Sequence, residues 1–197
     1  MTTWTIRHAR QDDLVVAELQ RGSAPGLVDR VFGSDAVRFL QRDFLRGGGV
    51  YGYRNQIVAT TGGGDVVASC TAYRGRDFRR LSAITTTTVL QHYRLAAPGV
   101  LRRLLVLSAA FAPPAPDGLL LANFCTARKF RGGGAGTALL EHLLSSAAGI
   151  GARSAELDVS TENTAAERWY TRLGFELVGE RRHALGADGF RRMRRTL

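Results

Sequence analysis

The chain has 197 residues, of which 45% are hydrophobic and 22% charged, and it carries a formal net charge of +10. That length suits one domain with an extension or one large domain, and the composition excludes disorder, collagen and coiled coil as overall descriptions. No apolar run approaches the roughly 18 residues that would span a membrane, and the start MTTWTIRHARQDD lacks an apolar leader core. The expectation is a cytoplasmic protein.

Trp4 to Ala9 alternates and predicts a first strand, followed by a helix that opens at Asp12 and Asp13 and runs through Leu19. A Pro and Gly segment, Ser23 to Asp29, interrupts it. Ser34 is placed to cap a second helix that carries Val37, Leu40, Phe44 and Leu45 and stops at Gly47. Residues 56–60 and 66–73 read as a hairpin closed by TGGGD. Residues 75–117 contain helical stretches, yet the four threonines Thr85 to Thr88 argue against a clean helix, because β-branched side chains lose rotamer freedom there. Residues 119–126 form a strand, then come a glycine loop and an amphipathic helix bearing Leu139, Leu140, Leu143, Leu144 and Ala147. A strand at 154–160 and a short helix from Thr164 to Leu173 follow. Two β-rich segments separated by Gly186-Ala187-Asp188-Gly189 close the chain as a second hairpin. A long helix between strands implies an α/β core, and the paired hairpins imply a mixed sheet.

Lys129 is the only lysine among 27 basic residues. The arginines are scattered, densest at Arg191, Arg192, Arg194 and Arg195, which read as solvated strand surface or, more sharply, as a surface for an anionic acceptor. Few aromatic residues lie among them, so nucleic-acid binding is a weak alternative. Cys70 and Cys125 lack CxxC spacing and the histidines lack ligand spacing; the cysteines read as small buried hydrophobes, and no metal site is expected.

Of three triple glycines, only 132–134 lies between a strand and a strongly amphipathic helix, in the run Arg131, Gly132, Gly133, Gly134, Ala135, Gly136, Thr137. Glycines let the backbone turn tightly and approach a ligand, while the helix start offers free N–H groups and the positive end of its dipole to a phosphate. A dinucleotide-binding turn is disfavoured, because Leu139 stands where its third glycine belongs. Alone the loop also reads as a plain turn. A second pattern follows: Asn163-x-x-Ala166-x-x-x-Tyr170-x-x-x-Gly174-Phe175, just after Leu157-Asp158-Val159.

R-x-x-G-x-G on a strand–loop–helix, followed in register by N-x-x-A-x-x-x-Y-x-x-x-G-F, resembles the GNAT N-acetyltransferase superfamily. The resemblance is good over 119–197, fair over 4–19 and 55–73, and absent over 75–117. It implies a GNAT fold of class α/β (α+β): a mixed, mostly antiparallel central sheet flanked by helices, with a helical insertion between strands 3 and 4. The chain would be a single domain, 1–197, in which 75–117 is an atypical insertion serving as a lid or a dimer contact.

The resemblance further implies acetyl-CoA as cosubstrate and a primary amine as acceptor, more readily a small molecule than a protein N-terminus such as that of a ribosomal protein. A catalytically silent CoA-binding module is the other alternative. Carried over by position, Phe124, Cys125 and Thr126 would act through backbone groups on the thioester and pantetheine arm. Arg131 to Thr137 would hold the pyrophosphate. Asn163 would contact pantetheine or acceptor, or simply cap its helix. Tyr170 would be the general acid, although its i, i+3, i+4, i+7 spacing with Ala166, Trp169 and Leu173 also fits a core aromatic. Asp158 stands where related enzymes carry a glutamate base, and reads equally as a salt-bridged strand acid. His92, Asn123 or a water relay remain open for that proton.

Overall fold

The computed structural model describes residues 3–109, 111, 113–182 and 189–197. The closing-hairpin turn expected at 186–189 lies outside them except for Gly189. The order is β1 (Thr5–His8), α1 (Val15–Ser23), α2 (Pro25–Phe32), α3 (Ala36–Arg46), β2 (Gln56–Thr60), β3 (Val66–Arg74), α4 (Phe78–Tyr93) and α5 (Ala97–Ser108). Then come β4 (Gly118–Thr126), α6 (Ala135–Gly149), β5 (Ser154–Ser160), α7 (Thr164–Arg172), β6 (Glu176–Arg182) and β7 (Gly189–Thr196).

The strands form one sheet in the order β1-β2-β3-β4-β5-β7-β6. Every neighbouring pair is antiparallel except β4 and β5, which run parallel. A parallel pair needs a long crossover, and α6 supplies it. The sheet is the mixed, mostly antiparallel one expected.

Alternation along the strands sorts side chains onto two faces. Leu119 and Leu121 of β4, and Ala155, Leu157 and Val159 of β5, join the main core with Leu139, Leu140, Leu143 and Leu144 of α6 and Tyr170 of α7. On the other face Tyr73 and Leu120 pack against Leu81, at the start of α4. A second helical core gathers Phe32, Phe39, Leu40, Val89, Ala97 and Val100 from α2, α3, α4 and α5.

Two sequence expectations change and one is extended. The first helix is interrupted at Ala24 as expected, but Pro25 then begins a new helix, α2, at a position where its missing N–H costs little. Ser34 sits inside a 3-10 turn, and Asp35 takes the cap position of α3 without a side-chain cap bond. The threonine run is helical throughout, as the middle of α4. Its hydroxyls have a tertiary partner: Thr85 Oγ1 donates to Asp43 Oδ2 at 2.9 Å and Thr88 Oγ1 to Asp43 Oδ1 at 2.6 Å. Asp43 is fully buried, and the Tyr51 amide donates to it as well. A buried carboxylate needs such donors. The three-residue spacing of Thr85 and Thr88 on one helix face provides two, which offsets their low helix propensity.

Candidate active site

β4 and β5 pair only over Gly118–Leu121 and Ser154–Leu157. β4 then continues five residues beyond its last pairing, to Thr126, held on the other side by β3. A fork therefore opens in the sheet after Leu121 and Leu157, with unpaired backbone along its β4 edge. Asn123, at the mouth of the fork, has φ 49°, and the β3–β4 register slips beside it. Asparagine tolerates this left-handed conformation better than most residues. Its Nδ2 donates to Thr71 Oγ1 at 3.0 Å, and Thr71 is bonded in turn to Gln56.

The glycine loop lies where β4 ends. Gly132 and Gly134 have φ of 78° and 85°, values that glycine alone adopts freely, and Gly134 precedes the first turn of α6. The first α6-directed backbone bond runs from the Ala138 amide to Gly134. The amides of Ala135, Gly136 and Thr137 thus keep the free donors of a helix start. Arg131 Nε donates to the Thr126 carbonyl at 3.2 Å, tying the loop back to the strand. At Gly136 a Cβ would meet Thr126 Oγ1 at 3.0 Å, Phe124 at 3.5 Å and Trp169 at 3.9 Å. The small residue lets loop, strand and α7 converge, and this bare, donor-rich bend fits a phosphate group.

Phe124, Trp169 and Tyr170 form one aromatic group, with ring centroids 5.5 Å apart for Phe124–Trp169 and 4.8 Å for Trp169–Tyr170. Tyr170 is 7% exposed, packs on Phe175 at 5.6 Å, and has no side-chain hydrogen bond among the described residues. Burial pushes its phenol above the ordinary value of 10.0, and Cys70 nearby acts in the same direction. The Cys70 sulfur lies 3.7 Å from the carbonyl of Ala122, the first β4 residue past the fork point. Tyr170 therefore approaches the fork from the α6–α7 face.

Asp158, the first β5 residue past the fork point, belongs to the opposite face. Arg192 of β7 grips it with two bonds, 2.8 Å to Oδ1 and 2.7 Å to Oδ2. The same guanidinium reaches Glu156 Oε2 at 2.9 Å, and Arg194 binds Glu156 Oε1 at 3.0 Å. Burial raises the Asp158 carboxyl above 3.8 despite Arg192. Tyr73 stands within electrostatic reach of both Asp158 and Arg192.

Fork, loop and aromatic group thus bring together Phe124, Cys125, Thr126, the 131–137 run and Tyr170, with Asp158 across the sheet. Asn163 is the N-cap of α7, its Oδ1 accepting from the Ala166 amide at 3.1 Å. His92 is elsewhere: its Nε2 lies 2.6 Å from Asp35 Oδ2, and its ring packs on Phe39 in the second core.

Two features escaped the sequence reading. Trp4 Nε1 donates to the Gly133 carbonyl at 3.1 Å, fastening the β1 end to the glycine loop. No spacing rule reaches across 129 residues. The Glu156–Asp158 and Arg192–Arg194 ladder did leave a signal, since each pair has the two-residue period of a strand face.

A mixed sheet that forks at its parallel pair beside a glycine-rich helix start is the GNAT architecture. Residues 105–175 match the acetyltransferase (GNAT) family. A solved acetyltransferase shares 19% identity, with 98% of each chain covered and a TM-score of 0.71. An N-acetyltransferase from Staphylococcus aureus Mu50 shares 17% over 96% of this chain and 99% of that one, at 0.68. The ribosomal-protein-S18-alanine N-acetyltransferase from Escherichia coli shares 18% over 98% and 94%, at 0.55. At such identities the likeness is one of fold. No curated protein matches the chain by sequence. The chain has the GNAT fold, and its 105–175 segment matches the GNAT acetyltransferase family.

Proposed function

We propose that the protein moves the acetyl group of acetyl-CoA to a primary amine of a small molecule, by direct attack within a ternary complex. The observation that carries this reading is the convergence of the unpaired β4 edge, the glycine loop and Tyr170 on one fork of the sheet. Acetyl-CoA, when bound, supplies a thioester carbon open to attack and a diphosphate that the loop would hold.

The chain's own residues do the rest. The free amides of Ala135, Gly136 and Thr137, with Arg131 beside them, would hold the diphosphate. Backbone N–H groups of Phe124 to Thr126 would face the negative charge that grows on the thioester oxygen, which is where fixed donors act most strongly. Asn163 holds the start of α7 through its cap bond, and so positions Tyr170. The Tyr170 hydroxyl stays protonated because burial raises its pKa. The same low-dielectric surroundings raise the basicity of a departing thiolate, as they do for the neighbouring Cys70 thiol. Burial thus raises the proton affinities of phenol and thiolate together, and the transfer relies on positioning. Asp158 would receive the proton that an incoming ammonium must lose.

Release of free thiol from acetyl-CoA, measured across a set of amines, tests the reading. Tyr170→Phe is expected to lower turnover by about 10²-fold while acetyl-CoA affinity stays near that of the parent. Unchanged turnover would leave Tyr170 a packing residue. Acetyl-CoA binding with no thiol release from any amine would make the protein a silent CoA-binding module.

A further inference from the structure

The face of the sheet that carries Asp158 also carries a surface cavity of about 240 Å³ between β5, β7 and β6. That volume lies just below the roughly 300–1,000 Å³ of ordinary small-molecule pockets. Its walls include Glu156, Asp158, Arg181, Phe190, Arg192 and Arg194. Register explains the grouping: Arg194 pairs across β5 with Glu156, Arg192 with Asp158, and Arg181 of β6 pairs with Phe190. Arg192 and Arg194 are committed to the two carboxylates. Glu180 also borders the cavity, but its carboxylate is held at 3.0 Å by Arg191, which reaches Glu167 of α7 on the other side.

Two carboxylates therefore face three guanidinium groups. The surplus charge is that of Arg181, which has no carboxylate within ion-pairing distance among the described residues, although its field is felt at Asp158. A simple cationic amine entering this cavity would meet a positive mouth. A molecule bearing an anion as well as an amine would satisfy Arg181 and leave its nitrogen near Asp158. Resting on the acetyl-transfer reading above, we infer that the acceptor is a small primary amine that also carries a carboxylate or phosphate group, which Arg181 binds.

In the transfer itself the acceptor nitrogen forms a bond to the acetyl carbon as the carbon–sulfur bond breaks. The electron pair of that bond leaves on sulfur, and the nitrogen gives up a proton. The anionic group takes no part and serves only to orient.

Thiol release from acetyl-CoA should be compared for L-glutamate, O-phosphoethanolamine, glycinamide, putrescine and a short alanine-starting peptide with an amidated C-terminus. The expected result is a kcat/KM for glutamate or phosphoethanolamine above those for the other three; which of the two leads tells carboxylate from phosphate. In Arg181→Gln the preference for the anionic amine over glycinamide should fall about tenfold, the range of one charge-assisted contact. Arg181→Glu should shift preference towards putrescine. Acetyl-CoA affinity of each variant reports that the protein is folded, and Arg181 is exposed enough for both changes to be accommodated. Preference for putrescine or the peptide in the parent protein would overturn the anionic acceptor alone, as would an Arg181→Gln variant with undiminished preference. No thiol release from any amine would overturn acetyl transfer itself.

Discussion

Asp158 shows how one side chain can carry two opposed influences. Burial favours its neutral form, the fork of Arg192 favours the charged one, and burial prevails. A base must be ionised to accept a proton, so its working range begins above the ordinary carboxylate value of 3.8 and activity falls as the pH drops through the raised value. Asp158→Asn is expected to lower kcat by about 10²-fold or more and to remove that acid limb from the kcat/KM profile. A limb that survives the substitution would assign proton removal to a water or to another group. At this scale the motif residues were readable, because N-x-x-A-x-x-x-Y and the glycine run are local. Whether Tyr170 packs or donates was not: its spacing fits a core aromatic, and it is indeed buried in the core with the Cys70 sulfur near the fork.

Helix α4 illustrates what a local rule misses. Four threonines in succession speak against a helix when judged by rotamer freedom alone. The fold places the fully buried Asp43 of α3 against Thr85 and Thr88, and the Val50 amide donates to Thr85 Oγ1 at 2.8 Å. Glycine at 49 is required for the same reason, since a Cβ there would lie 2.3 Å from the Asp43 carboxylate. Removing the acceptor strands buried donors, each at about 1–3 kcal/mol. With three donors stranded, Asp43→Ala should therefore lower the melting midpoint by at least roughly 6 °C, given about 2–4 °C per kcal/mol for a chain of this size. Asp43→Asn keeps one acceptor oxygen and should lose less. Equal stability of all three proteins, followed by circular dichroism, would show the cluster to be dispensable.

For the whole molecule, the two hairpins followed from alternation and turn chemistry, whereas the strand order did not, because no local pattern says which hairpin lies beside which. The helical stretches of 75–117 were legible, but not the distant partners they pack against. The second half of α4 and α5 complete a core with Phe39 and Leu40 of α3, while Leu81 at the start of α4 covers Tyr73 and Leu120 on the sheet. The insertion is thus part of the framework behind the Asp158 face. Its outer side leaves Leu95 and Leu105 largely exposed.

The short parallel seam between Gly118–Leu121 and Ser154–Leu157 has a mechanical meaning. Four rungs are the backbone pairing between a four-stranded part of the sheet and a three-stranded part, which also share the core under α6. A donor lodged in the fork beyond those rungs would act as a strut between the two parts. Amide hydrogen exchange at 122–126 and 158–160 should slow when acetyl-CoA is added, far more than in the rungs themselves. Exchange that is indifferent to acetyl-CoA would mean that the two parts are already locked, and that the opening serves as a slot and not a joint.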